Sequence, residues 1–221
     1  MKTCILLSTA GSLLNYKHGT YIDSHDIVIR TGQGPIKGYE DYVGTKTNYR
    51  IMSVALFDEW RNMNIPQLLN DLTDEILVYT KEKNCRKINN YHEHFKISNE
   101  FFCTYEYKCD LLSDWKRDVS SGFQSIFTSF YQLGCTNLKM LGFNTTENLR
   151  ASYHYWKDGS VHDNINSNTW YNKRRRNKWA HNFYIEQKFI EYVSMNSTIC
   201  KKTIDAICNY NTLKYRFHSD L

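Results

Sequence analysis

Four short stretches gather residue types able to bind or move charge. Ser8-Thr9-Ala10-Gly11 follows an apolar run, so the chain turns on small residues where a strand must end. Such a turn lets backbone N–H groups approach a phosphate at a helix N-terminus. The same composition also makes a turn that is merely tight. It is not the G-x-G-x-x-G fingerprint, and no P-loop occurs in the chain. Ser120-Ser121-Gly122 opens an amphipathic run, and the first N–H groups of a helix, lacking intrahelical acceptors, suit an anion. His154 stands between Tyr153 and Tyr155, and His181 precedes a second amphipathic run. An imidazole titrating near neutrality can take a proton from an attacking hydroxyl. His154 can equally belong to an ordinary aromatic cluster, and His181 can be a polar helix cap. A helix beginning near His181 would disfavour the protonated ring and keep it a base.

Other candidates carry less. His162 in Val-His-Asp-Asn has no acid five residues on, and His92-Glu93-His94 has poor metal spacing and is expected at the surface. Arg174-Arg175-Arg176 reads as a solvated loop or as a guide for an anion. Seven cysteines, at 4, 85, 103, 109, 135, 200 and 208, include no C-x-x-C pair, which argues against a zinc ribbon. Their odd number leaves at least one thiol free if disulfides form.

The elements that must position these residues follow from the apolar pattern. Runs at Thr3–Ser8, Asp26–Ile29, Tyr49–Val54, Glu75–Tyr79 and Asn137–Phe143 predict buried strands. Helices are predicted over Ser12–Lys17, Phe57–Asn70, Ser121–Leu133 and His181–Val193, the third from an apolar stripe at Phe123, Ile126, Phe127, Phe130 and Leu133. Residues 81–110 read as irregular structure with short helices, and Ala151–Arg176 as a mobile loop. Strands alternating with helices predict an α/β fold with a mostly parallel sheet, in which ligands bind beyond the carboxyl ends of the strands.

Composition sets the outer bounds. The 221 residues, 41% hydrophobic and 15% aromatic, suit one globular domain over residues 1–221. Two prolines and ten glycines leave no Pro/Gly-rich linker. No apolar run approaches the roughly 18 residues of a membrane span, and no signal peptide is evident. A net charge of +5 is too mild to require a nucleic acid and suits an anionic small ligand as well. No recognition motif accompanies the arginine run, so a nucleic-acid partner is not expected.

Taken in order, four segments resemble the sialylmotifs of the animal-type sialyltransferases, glycosyltransferase family 29. Cys4-Ile-Leu-Leu-Ser-Thr-Ala-Gly11 is similar to the large motif, continuing through Ile22-Asp23, Asp26 to Arg30, Pro35, Gly38-Tyr39-Glu40 and Val43-Gly44. Ser120-Ser121-Gly122 with Cys135 and Gly142-Phe143 resembles the small motif. Tyr153-His154-Tyr155-Trp156 resembles motif III, and His181 with Glu186 resembles the very small motif. Each match is weak alone; the ordered set, spanning residues 4–186, is specific. Within the family the third and fourth segments are most similar to the α-2,6 enzymes acting on N-acetylgalactosamine.

The resemblance implies a single Rossmann-like α/β/α domain, a GT-A-like variant, that moves sialic acid from CMP-sialic acid to a galactose or N-acetylgalactosamine hydroxyl. It implies inversion, no metal and no cofactor beyond the donor substrate. His181 becomes the base and His154 the group that steadies the leaving phosphate. Ser8, Thr9, Gly11, Gly32, Ser120, Ser121, Gly122 and Tyr155 are expected at the donor, with Glu186, Arg30 and Glu40 in support. Cys4 and Cys135 match the two cysteines that family members join. The partners implied are a sugar nucleotide and a glycan acceptor on a glycoprotein or glycolipid, and the oligomeric state is left open. The family works in the Golgi lumen; no anchor or stem is expected before this domain, and a cytoplasmic, viral or protist setting stays open. The chain also departs from the family: Thr9 and Gly32 stand where Asn is usual, Tyr42 where Asp is usual, and Val119 where Pro is usual. The departures at Thr9 and Gly32 motivate one alternative, transfer of another CMP-activated 2-keto sugar such as a Kdo- or KDN-like acid; a non-catalytic nucleotide- or glycan-binding relative is the other.

Overall fold

A computed structural model describes residues 2–54, 72, 75–80, 88–104, 119–143, 152, 154–156, 183–195 and 198–208. Its strands are β1 (Cys4–Leu7), β2 (Ile27–Thr31), β3 (Tyr49–Ser53), β4 (Ile76–Thr80), β5 (Phe101–Cys103), β6 (Asn137–Leu141) and β7 (Thr198–Cys200). They form one sheet in the order β5-β4-β3-β2-β1-β6-β7, parallel throughout except for β7. The described helices are α1 (Gly19–Asp23), α2 (Glu40–Val43), α3 (Ile88–Phe95), α4 (Ser121–Tyr131), α5 (Phe183–Val193) and α6 (Lys201–Cys208), with a 3-10 turn at Gly11–Asn15.

The strands form where they do because their apolar runs are continuous. A strand shows alternate residues to opposite faces, so only a run such as Cys-Ile-Leu-Leu can bury both. On one face Cys4, Leu6, Ile29, Ile51 and Val78 pack under α4 and α5, whose Phe123, Phe127 and Phe189 rings meet at 5.2–6.3 Å between centroids. On the other, Ile5, Leu7 and Val28 pack against Leu13, Ile22, Val43, Tyr155 and Trp156. Each buried Phe or Leu side chain contributes about 1.5–3 kcal/mol.

The chain lays β1 to β5 outward in one direction and then returns to add β6 on the other side of β1. The strand order therefore reverses at the β1–β6 boundary, and open α/β sheets bind ligands beyond the carboxyl ends of the strands at such a reversal.

The predicted α/β class with a mostly parallel sheet is the observed one, and the five predicted strands agree with observed ones to within two residues at either end. Phe101–Cys103, inside the stretch read as irregular, is instead an edge strand on β4, and Thr198–Lys201 passes from β7 straight into α6. Both strands are three residues long, too short for a periodicity to show. Ser12–Lys17 is realised as the 3-10 turn. The Phe57–Asn70 helix and nearly all of the Ala151–Arg176 loop lie outside the described residues.

Cys4 and Cys135 form a disulfide with Cα atoms 6.1 Å apart. It joins the start of β1 to the segment entering β6. Closing a loop of 131 residues contributes about 4–5 kcal/mol on the chain-entropy account. Cys103 is also disulfide-bonded, and Cys200 is a half-buried free thiol. Among the described residues, no helix is long and apolar enough to cross a membrane.

One surface expectation is overturned. His92 is buried, because α3 puts Ile88, Tyr91 and His92 on one face, at positions three and four apart. Its Nε2 lies 2.8 Å from the Tyr79 hydroxyl, and burial lowers the imidazole below its ordinary value while pushing the Tyr79 phenol well up. His94, two residues on, faces solvent as expected.

Candidate functional site

The carboxyl end of β1 collects most of the residues singled out in the sequence. Leaving β1, Ser8 N–H donates to the Leu141 carbonyl at 2.8 Å and Ala10 N–H to the Gly142 carbonyl at 3.2 Å, so the turn runs alongside the end of β6. The N-terminus of α4 faces this turn: a Cβ built on Gly122 would stand 3.8 Å from Ser8 Oγ. That is ordinary contact, so no clash demands glycine there. Its effect is to leave the backbone of the first helical turn uncovered, where unpaired N–H groups accumulate positive potential.

Thr9 lies beside the turn that follows β2. Gly32 has φ +66°, a left-handed conformation that Gly adopts freely and Asn tolerates, and a Cβ on it would approach Thr9 Cγ2 to 3.6 Å. Between these turns is a recess of about 10 Å³, room for about one water, walled in part by Ser8, Thr9, Thr31 and Gly34.

A third segment is strapped across. Gly11 N–H donates to the Ser152 carbonyl at 2.9 Å and Tyr155 N–H to the Thr9 carbonyl at 3.0 Å. A Cβ on Gly11 would meet Ser152 Oγ at 2.1 Å, so only glycine permits this approach. His154 falls between the two ties, and its ring stacks on Trp156 with centroids 4.2 Å apart and planes 21° apart. The Tyr155 ring is buried edge-on against Tyr39, and its hydroxyl donates to the Pro35 carbonyl at 2.7 Å. Expected at the donor, this hydroxyl is here engaged in holding the loop after β2.

The α4 N-terminus is anchored from 66 residues away. Glu186, on the first turn of α5 and 4% exposed, accepts the Ser120 N–H at 2.7 Å and the Ser120 hydroxyl at 2.6 Å. Ser120 Oγ in turn accepts the Phe123 N–H at 3.1 Å and caps the helix. Two charge-assisted bonds and the positive helix end balance the buried carboxylate. The Ser120 side chain is thereby occupied within the protein, while Ser121 Oγ lies 3.4 Å from Thr80 Oγ1 at the end of β4. His181 and Tyr153 lie outside the described residues.

The supporting residues hold loops. Arg30 is buried; its Nε donates to Thr47 Oγ1 at 2.7 Å and its Nη2 to the carbonyls of Gly44 and Lys46 at 3.2 and 2.9 Å. Burial, then the neighbouring Arg50 charge, lowers its guanidinium to about 10, which still leaves it protonated at neutral pH. Glu40, exposed, opens α2 and accepts the Gly38 N–H at 2.9 Å; its own N–H and that of Gly38 hold the carboxyl below its ordinary value.

Arg50, Glu75 and Asp23 were given no site role from the sequence. Arg50 and Glu75 form an ion pair with both side chains fully shielded from solvent. A signal existed: each is a charge at or in an otherwise apolar strand run, Tyr-Arg-Ile-Met and Glu-Ile-Leu-Val. Asp23 gathers Thr45 N–H, Thr45 Oγ1–H and Lys46 N–H at 2.8–2.9 Å. Burial works to raise its carboxyl, and these donors outweigh it and hold the group below its ordinary range.

Comparison with known proteins accords with this geometry. The family described as "Glycosyltransferase family 29 (sialyltransferase)" matches residues 1–116, just over half the chain. The chain is 25% identical over 170 residues to CMP-N-acetylneuraminate-beta-galactosamide-alpha-2,3-sialyltransferase 1 of Gallus gallus, covering 72% of this chain and 48% of that protein. It is 45% identical over 53 residues to beta-galactoside alpha-2,6-sialyltransferase 2 of Bos taurus, covering 24% of this chain and 11% of the relative. The chain thus spans about half the length, or less, of these relatives. In fold it is similar to a variant of the sialyltransferase CST-II in complex with CMP, with a TM-score of 0.51 and 13% identity over 87% of this chain and 77% of that one. As the family model matches more than half of its length, this chain belongs to glycosyltransferase family 29, the sialyltransferase family.

Proposed function

We propose that the protein transfers sialic acid from CMP-sialic acid to a galactose or N-acetylgalactosamine hydroxyl of a glycan, with inversion and without a metal. The observation that carries this is the convergence of three segments at the carboxyl end of β1: the turn 8–11, the start of α4, and residues 152 and 154–156.

The donor's anomeric carbon is tertiary and bears a carboxylate. Its bond to the phosphate oxygen breaks with the electron pair going to CMP, while the acceptor oxygen bonds the opposite face. The turn at Ser8, Thr9 and Gly11 and the backbone at Gly32 receive the nucleotide, and the uncapped N–H groups of Ser121 and Gly122 offset anionic charge. His154, held flat by its stack on Trp156, donates to the departing phosphate. His181, two residues before α5, takes the acceptor's proton. Glu186 acts at one remove, by fixing the α4 N-terminus.

Incubation with CMP-sialic acid and a mixed glycan array, read by mass spectrometry, is expected to show glycans heavier by one sialic acid. His181→Ala is expected to lower transfer on the order of 10²–10⁴-fold with CMP binding kept. Full activity in that variant removes His181 from the mechanism, and no transfer by the wild type favours a non-catalytic binder. Gly32 and Thr9, which offer backbone and one hydroxyl where the family usually has amides, motivate a second arm. A strict preference for a Kdo- or KDN-like donor would replace sialic acid in the assignment.

A further inference from the structure

Arg50 does more than neutralise a buried carboxylate. Its Nε donates to Glu75 Oε1, while its Nη1 reaches away to the carbonyls of Gly34 at 3.1 Å and, more weakly, Gly32 at 3.4 Å. Nη2 of Arg50 and Oε2 of Glu75 have no hydrogen-bond partner. A pair kept only for charge balance would close fork to fork, with two parallel bonds. Here the second bond is forgone and an arm of the guanidinium is spent on neutral carbonyls.

Those carbonyls belong to the turn that forms one wall of the recess. Gly32 abuts Thr9, and Gly34 lines the recess beside Ser8 and Thr9. Tyr155 closes on the same turn: a Cβ on Gly34 would meet its hydroxyl at 2.4 Å. Register places Arg50 directly beside Arg30. Arg30 grips the loop 44–47, and Arg50 grips the turn 32–34. The two adjacent arginines thus each hold one loop.

The geometry points to Arg50 as a positioning residue for the nucleotide end of the donor: it sets the turn 32–34 against Thr9, and so shapes the wall that receives a cytidine monophosphate ester. This rests on the donor assignment above. Arg50 touches no reacting atom, so its loss weakens binding of ground state and transition state alike, which raises KM for the donor and spares kcat.

Arg50→Lys is the test. Lysine keeps a positive charge opposite Glu75, but a single ammonium on a flexible stem lacks the planar fork that spans a carboxylate and two carbonyls. The expected result is a donor KM raised about tenfold, the scale of one lost charge-assisted hydrogen bond, with kcat and acceptor KM within about twofold. An unchanged donor KM in the folded variant overturns the inference. So does a fall in kcat with both KM values rising together, which would mark a purely structural role. Should R50K not fold, amide exchange of the wild-type chain with and without CMP decides: Gly32–Gly34 must slow on binding, and unchanged exchange there overturns the inference. A wild type that binds no CMP overturns the donor assignment and this inference together. CMP binding equal in wild type and R50K overturns the inference alone.

Discussion

Two buried carboxylates, Glu75 and Glu186, each hold a different part of the candidate site. Glu75, below the turn after β2, faces a full positive charge on Arg50, and one oxygen of the acid is left without a hydrogen bond. Glu186, at the α4 N-terminus, accepts two bonds from neutral donors of Ser120 beside the positive helix end. A charge can thus be buried against another charge or against aligned dipoles. The first solution couples two strands and the loop above them. The second couples two helices distant in sequence and leaves the neighbouring first-turn N–H groups of α4 uncovered for a ligand.

The difference predicts different responses to truncation. The largest effect is expected at Glu75→Ala, which leaves Arg50 buried and unpaired, at a cost of about 3–5 kcal/mol in denaturant unfolding. Replacing both partners by apolar residues, Arg50→Met with Glu75→Leu, should recover much of that loss. If the double variant is as unstable as the single one, the two groups are not a pair in the energetic sense. Glu186→Gln is expected to cost less, about 1–3 kcal/mol, because an amide oxygen can still accept one Ser120 bond. A loss at Glu186 larger than at Glu75 would reverse the comparison. Smallest is the effect of Asp23→Asn at neutral pH, since the amide oxygen keeps part of the cradle. Asp23's folded value lies below its ordinary 3.8. Its ionic contribution is therefore fully present above that pH and is lost as pH falls through the folded value. Stability measured from pH 6 downward should accordingly fall less steeply below about pH 4 in Asp23→Asn than in the wild type.

The parts legible in advance are those whose physics is local. The β1 to β4 strands and β6 announce themselves as apolar runs, α4 as a stripe at helical spacing, and the Ser8–Gly11 turn as small residues after a strand. The Cys4–Cys135 pairing was implied by family resemblance, not by spacing, and it forms. His92 was misplaced because a histidine between polar neighbours looks exposed until the helix phase of Ile88 and Tyr91 is known.

What the amino-acid order determined by itself, then, is the alternation of strands and helices, the turn chemistry at the end of β1 and the family to which the chain belongs. Strand order, the pairing of Glu186 with Ser120 across 66 residues, the fork of Arg50 between Glu75 and the turn 32–34, and the glycine-only contact of Gly11 with Ser152 were decided by tertiary structure alone. Period and propensity act over a few neighbouring residues, whereas the partner of a buried charge or an uncapped helix end is whichever group the packed sheet brings within about 3 Å.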